Sequence, residues 1–134
     1  MEICHGSPFD EDTYIFDEMD ALHALKISSR PLCLFGHTHY PVTFELNGDA
    51  LSHKGPAAAA DTTIALREGV KYLMNPGSVG QPRDGNPLCS FAIYDSETRM
   101  VSIHRLSYPL RRTQEKILKA GLPRPLADRL ALGR

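Results

Sequence analysis

A layered α/β (α+β) domain over residues 1–134 is the fold this sequence predicts, on three observations. Short apolar or alternating runs, each ended by glycine, proline or Asn-Gly, recur up to residue 106, as strands do. Helical spacing of apolar residues is confined to one early and two late stretches. Strands mixed with a few helices pack as layers around a shared core. The 134 residues suit one domain, able to bury roughly two-thirds of its unfolded surface. With 42% apolar and 23% charged residues, the chain belongs with ordinary globular proteins rather than disordered ones.

The elements follow in order. Met1-Glu2-Ile3-Cys4 is a short extended stub stopped by the turn cluster His5-Gly6-Ser7-Pro8, and an acidic loop with Asp10, Glu11 and Asp12 comes next. Ile15, Phe16, Met19, Leu22, His23, Leu25 and Ile27 recur near helical spacing and predict a helix over 15–28. Pro31 to Phe35 is a five-residue run of the buried-strand kind, ended by Gly36. From Pro41 to Leu46, Val42/Phe44/Leu46 alternate with Thr43/Glu45, which predicts a half-buried strand, and Asn47-Gly48 signals a hairpin. The stretch 53–63 shows no period and reads as a loop. Lys71 to Met74 is a further short strand running into the loop 75–85, and strands 91–94 and 100–106 flank the turn 95–98. Leu110, Thr113, Ile117 and Leu118 line one face of a helix that Gly121 and Pro123 stop. Pro125 opens a last short helix with Leu126, Leu130 and Leu132, ended by Gly133.

Charge excludes some functions. Lys+Arg 15 against Asp+Glu 16 leaves a net −1, so no global field recruits nucleic acid or an anionic membrane. The late basic residues Arg105, Arg111, Arg112, Lys116, Lys119, Arg124 and Arg129 are interleaved by Glu115 and Asp128 and read as a solvated surface. Cys4, Cys33 and Cys89 form no CxxC and read as reduced thiols. No leader opens the chain and no apolar run nears the roughly 20 residues of a membrane span, so a soluble cytoplasmic protein is expected.

The six histidines differ in placement. His5 ends one strand, and His37 and His39 follow another. In an extended segment residues i and i+2 face one side, so both imidazoles would address a common site. Imidazole suits zinc, iron, manganese or nickel, and three strand-end histidines point to metal. His23 reads as helix surface or packing, and His53 and His104 as bystanders.

Cys4-His5-Gly6-Ser7-Pro8, Gly36-His37-Thr38-His39-Tyr40-Pro41 and Asn75-Pro76-Gly77-Ser78-Val79-Gly80-Gln81-Pro82-Arg83 stand in an order and spacing that resembles bacterial calcineurin-like metallophosphoesterases. The likeness extends to Gly121-Leu122-Pro123 and the closing Leu-rich helix. It implies part of a four-layer α/β/β/α sandwich with mixed sheets, and a centre of two divalent ions (manganese, iron or zinc) hydrolysing phosphomono- or diesters. By the same resemblance His5 and His37 match ligands of the second ion and His39 a ligand of the first, while Asn75 to Ser78 lines the site. Two such ions clamp the attacking and leaving oxygens at phosphorus. Arg83 is a candidate for phosphate contact through its forked guanidinium, or else a surface turn arginine.

The family's Asp-x-His, Gly-Asp-x-x-Asp and Gly-Asn-His-Asp/Glu do not occur in this chain, nor does its catalytic histidine. Neutral imidazoles do not offset two dications at close range, so the bridging carboxylate is a chemical requirement. The chain is therefore expected to be the C-terminal portion of a longer phosphoesterase, inactive alone, binding fewer than two ions, and prone to self-association or to pairing with the carboxylate-bearing half. Two other readings stand beside it: a single-ion site of His5, His37 and His39, and a non-catalytic scaffold that kept the fold. Substrate identity stays open beyond a phosphate ester.

Overall fold

A computed structural model describes residues 1–55 and 61–134. Strands β1 (Glu2–Ile3), β2 (Leu32–Leu34), β3 (Val42–Asn47), β4 (Ala50–Lys54) and β6 (Val70–Asn75) form one sheet in the spatial order β1-β2-β6-β3-β4. The pairs β1–β2 and β2–β6 are parallel and the pairs β6–β3 and β3–β4 antiparallel, so this sheet is mixed. Strands β5 (Thr62–Ala65), β7 (Cys89–Asp95) and β8 (Met100–Leu106) form a second, antiparallel sheet in the order β5-β8-β7. Helix α1 (Glu18–Ile27) lies on the first sheet, and α2 (Leu110–Lys119), α3 (Arg124–Asp128) and a 3₁₀ turn close the chain.

Two hydrophobic cores explain the layering. One joins Ala21, Ala24 and Leu25 of α1 to Cys33, Phe44, Leu46 and Leu73. The other joins Leu32, Val70, Tyr72 and Met74 to Ile64 and Val101 of the second sheet. Alternation along β6 assigns each side chain to a face, with Leu73 toward the helix and Val70, Tyr72 and Met74 toward the second sheet. Being covered on both faces is why β2 is apolar throughout. Lys71 takes the helix side, where its ammonium donates to Leu25 O at 3.0 Å and Ser28 O at 2.9 Å. It thereby satisfies carbonyls at the negative end of α1.

Several boundaries move, each for a local reason. Helix α1 starts at Glu18 rather than at 15, because the Asp17 carboxylate accepts from Met19 N and Asp20 N, both at 2.9 Å, and caps the helix there. That leaves Ile15 buried and Phe16 73% exposed in the preceding loop. Strand β3 is not half-buried: Thr43 and Glu45 are buried as well. Glu45 tolerates this because Arg67 donates to its carboxylate at 2.8 Å and Lys54 lies at 3.7 Å. The predicted loop 53–63 carries strand at both ends, in β4 and β5, while residues 56–60 lie outside those described. The hairpin after β3 pairs Asn47 with Ala50, so its two central residues are Gly48 and Asp49, not Asn-Gly. Gly48, at φ 59, supplies the left-handed conformation that this first turn position demands. In the β7–β8 turn, hydrogen bonds from Thr98, its backbone N–H first, and from the Glu97 N–H hold the Asp95 carboxyl below the usual carboxylate range. On α2, Leu110, Thr113 and Ile117 are half-buried, but Leu118 is exposed.

Among the described residues no helix is long and apolar enough to cross a membrane.

Candidate functional site

The segments that follow the parallel strands β1, β2 and β6 meet at one end of the sheet, where open α/β sheets place their ligands. Backbone bonds extend the strand pairing into these segments. Cys4 N–H donates to Leu34 O at 3.0 Å, Phe35 N–H to Met74 O at 2.9 Å, and Gly36 N–H to His5 O at 2.8 Å. The result sets the His5 and His37 rings 4.6 Å apart, centroid to centroid, at 62°.

His37 and His39 are not extended. Both adopt the left-handed conformation, at φ 64 and φ 59, so the alternation argument for a shared face does not hold. Each such non-glycine residue costs roughly 1–2 kcal/mol, and the surroundings must hold it there. Asn75 does so from the end of β6. Fully buried, it donates through Nδ2 to Gly36 O at 2.8 Å and to Thr38 Oγ1 at 2.9 Å, and its Oδ1 accepts from Gly77 N–H at 2.8 Å. Thr38 Oγ1 also accepts from Tyr40 N–H at 3.3 Å, which closes the loop on itself.

His39 is held by a different partner, on the loop after β6. Its Nδ1 lies 2.8 Å from Gln81 O. A carbonyl only accepts, so Nδ1 carries the proton and Nε2 is left with a free lone pair. Backbone-locked imidazoles of this kind are typical of metal ligands. His37 is pinned from the other side by Tyr14, stacked on it at 3.8 Å and 28°. Tyr14 reaches that position because the loop before it folds tightly onto Gly6, where a Cβ would sit 2.5 Å from Glu11 O and Thr13 O.

The loop 76–85 completes the surroundings. Arg83 N–H donates to His39 O at 3.3 Å, and its guanidinium to Gln81 Oε1 at 2.8 Å. Arg83 also lines a cleft of about 630 Å³ that includes Tyr14, Thr38 and Tyr40. Next to it, Asp84 forms a buried ion pair with Arg105 of β8, each side chain 2% exposed. That pair fastens the loop to the second sheet.

The side chains read as lying outside the site make other contacts. His23 packs edge-on against Phe9. His53 pairs with Glu18 at 2.9 Å, and His104 with Asp61 at 2.9 Å. Cys4 and Cys33, distant in sequence, come together at 3.7 Å between sulfurs. Burial pushes both thiols up, which makes them poor ligands. Asp10 turns its carboxylate to Asp12 N–H at 2.8 Å.

As metal donors the histidines supply imidazole nitrogens, with His39 oriented by a carbonyl and His37 by a stacked ring. Among the described residues, however, no group of three His, Cys, Asp or Glu side chains is placed to hold an ion, and no carboxylate joins the histidines. A single-ion site of all three histidines therefore lacks its geometry.

No family model matches the chain. An uncharacterised protein of Methanocaldococcus jannaschii is 43% identical over 103 residues, 77% of this chain and 40% of that protein. The crystal structure of a metallophosphoesterase from Sphaerobacter thermophilus is 34% identical with a TM-score of 0.89, covering 98% of this chain and 55% of its own. That of a hypothetical protein from Pyrococcus horikoshii OT3 is 19% identical with a TM-score of 0.69, covering 98% and 46%. The chain thus spans 40% of the curated relative's length and about half of each solved structure. Its mixed α+β architecture of two sheets with helices is a metallophosphoesterase-like fold.

Proposed function

We propose that this chain carries the imidazole side of a two-ion phosphoesterase centre, His5 and His37 serving one divalent ion and His39 the other. The observation that carries this is the division of the histidines. Two rings stand 4.6 Å apart, while the third is locked separately by a backbone carbonyl at 2.8 Å. The fold it shares with the Sphaerobacter metallophosphoesterase supports the same reading. Manganese, iron or zinc suits these donors. When bound, such ions clamp the entering and leaving oxygens of a displacement at phosphorus.

The chain's own residues do the positioning. Gln81 fixes the tautomer of His39, Tyr14 holds the plane of His37, and Asn75 holds the backbone between them. Arg83 offers a forked donor to phosphate oxygens. The anionic ligands that balance two dications come from another segment, which the open edge at β1, with Ile3 70% exposed, is suited to receive. We place the working protein in the cytoplasm, in keeping with its three free cysteines.

With manganese and bis-p-nitrophenyl phosphate, the 134-residue chain is expected to show turnover near background. A chain extended upstream through carboxylate-bearing segments is expected to turn over, and His39→Ala to abolish it. Robust turnover by the short chain that vanishes in His39→Ala contradicts the half-centre. An extended chain inert with manganese, iron and zinc overturns the phosphoesterase reading itself.

A further inference from the structure

The cleft lined by Thr38 and Tyr40 has an aromatic wall that extends beyond the one ring, Tyr14, that holds His37. Tyr14 stacks on His37 with one neighbour and lies parallel to Phe16 on another side, 5.1 Å between centroids and 4° between planes. Phe16 is 73% exposed, Tyr40 42% and Tyr14 40%, and all three line the same cleft. Large apolar side chains scattered singly need no explanation, but three aromatics on one concave surface do. Two carboxylates also line the cleft and both have hydrogen-bond partners, Glu18 at 2.9 Å from His53 Nδ1 and Asp17 as the cap of α1. Among the described residues, what remains available is the exposed part of these rings, together with the Arg83 guanidinium, which spends one donor on Gln81 and has others free.

Size and lining narrow the occupant. About 630 Å³ matches a small molecule rather than a polymer. The exposed surface is π-faced, which favours a flat ring over an alkyl chain. A guanidinium lining the same cleft favours an anionic group attached to that ring.

We infer that the cleft seats the planar aromatic group of a phosphoester, its ring against Phe16 and Tyr14 and its phosphate toward Arg83. This rests on the phosphoesterase reading and adds the substrate class to it: nucleoside or aryl phosphates, rather than sugar or alkyl phosphates.

The test is calorimetric titration of the 134-residue chain, with manganese present, against four probes. These are inorganic phosphate, ribose 5-phosphate, phenyl phosphate and adenosine 5′-monophosphate. Ring stacking predicts that the two aromatic phosphates bind about tenfold tighter than ribose 5-phosphate. Phe16→Ala should erase that advantage while leaving ribose 5-phosphate unchanged, and Phe16→Trp should keep it. Phe16 is largely exposed, so the fold should survive, with thermal melting as the control. Adenosine monophosphate binding tighter than phenyl phosphate assigns a nucleobase, and equal affinity of those two assigns a simple aryl ring. Equal binding of all four probes overturns the aromatic subsite alone. Binding of none also overturns the aromatic subsite, while the phosphoesterase reading stands or falls separately on the turnover of the extended chain.

Discussion

Asp84→Ala is expected to cost about 3–5 kcal/mol, because it strands the Arg105 guanidinium at 2% exposure without its counter-charge. For a chain of this length that lowers the melting midpoint by roughly 10 °C or more. The same loop carries Gln81 O, which holds His39, and Arg83 N–H, which donates back to His39 O. Loss of the anchor should therefore loosen His39 as well as the fold. Replacing both partners, as in Asp84→Leu with Arg105→Met, should recover much of the stability, since an apolar pair leaves no buried charge. Thermal melts of the single and double variants decide it. A single variant that melts within about 2 °C of the parent chain would show that the pair is solvated and holds nothing.

Asn75→Ala is expected to act on both stability and metal affinity. It removes one donor group and one acceptor at a fully buried position, which strands Gly77 N–H and leaves Gly36 O with Thr38 N–H alone and Thr38 Oγ1 with Tyr40 N–H alone. A buried unsatisfied group costs roughly 1–3 kcal/mol and each lost hydrogen bond about 1 kcal/mol, and partial hydration of the small cavity offsets some of this, so a loss of about 2 kcal/mol is expected. Without that brace, His37 and His39 relax from their left-handed conformations toward ordinary ones. Supporting residues of metal sites typically change affinity 10–100-fold, and manganese affinity should fall by about that factor. Asn75→Asp should be nearly as damaging: it keeps the acceptor for Gly77 but loses the donor for Gly36 and Thr38. Chemical denaturation and manganese titration read the two effects separately. An Asn75→Ala variant unchanged in both would refute the bracing role.

Much of the fold was legible in the sequence because short-range signals coincide with its real boundaries. The run Pro31 to Phe35 is apolar on every residue because β2 is covered on both faces. The turns at Gly48 and at 95–98 are where hairpins do reverse. Errors arose where distant chain decides. Nothing local in Glu45 tells that Arg67 will pair with its carboxylate, so the alternation of β3 reads as half-buried. Thr62–Ala65 forms a strand because Met100 to Ile103 pair with it, not because its own pattern demands one.

The candidate site was legible as a set of residue types and not as a geometry. Gly36-His37-Thr38-His39 names its donors on sight, yet its turn is left-handed at both histidines, which alternation does not foresee. Tyr14 and Gln81 were missed because each acts across a long sequence separation. Asn75 carried a signal that was available: a polar amide ending the apolar run Tyr72-Leu73-Met74 must find buried partners.

The central claim is that His5 and His37 serve one ion and His39 another. A manganese titration of the chain, followed by the resonance of the free ion, tests it most directly when run on His5→Ala, His37→Ala, their double variant and His39→Ala. The predicted result is fewer than two ions per chain, one binding event weakened by His5→Ala and by His37→Ala, little further loss in the double variant, and that event intact in His39→Ala. If His39→Ala abolishes the same event as His37→Ala, the three histidines share one ion and the division proposed here is wrong.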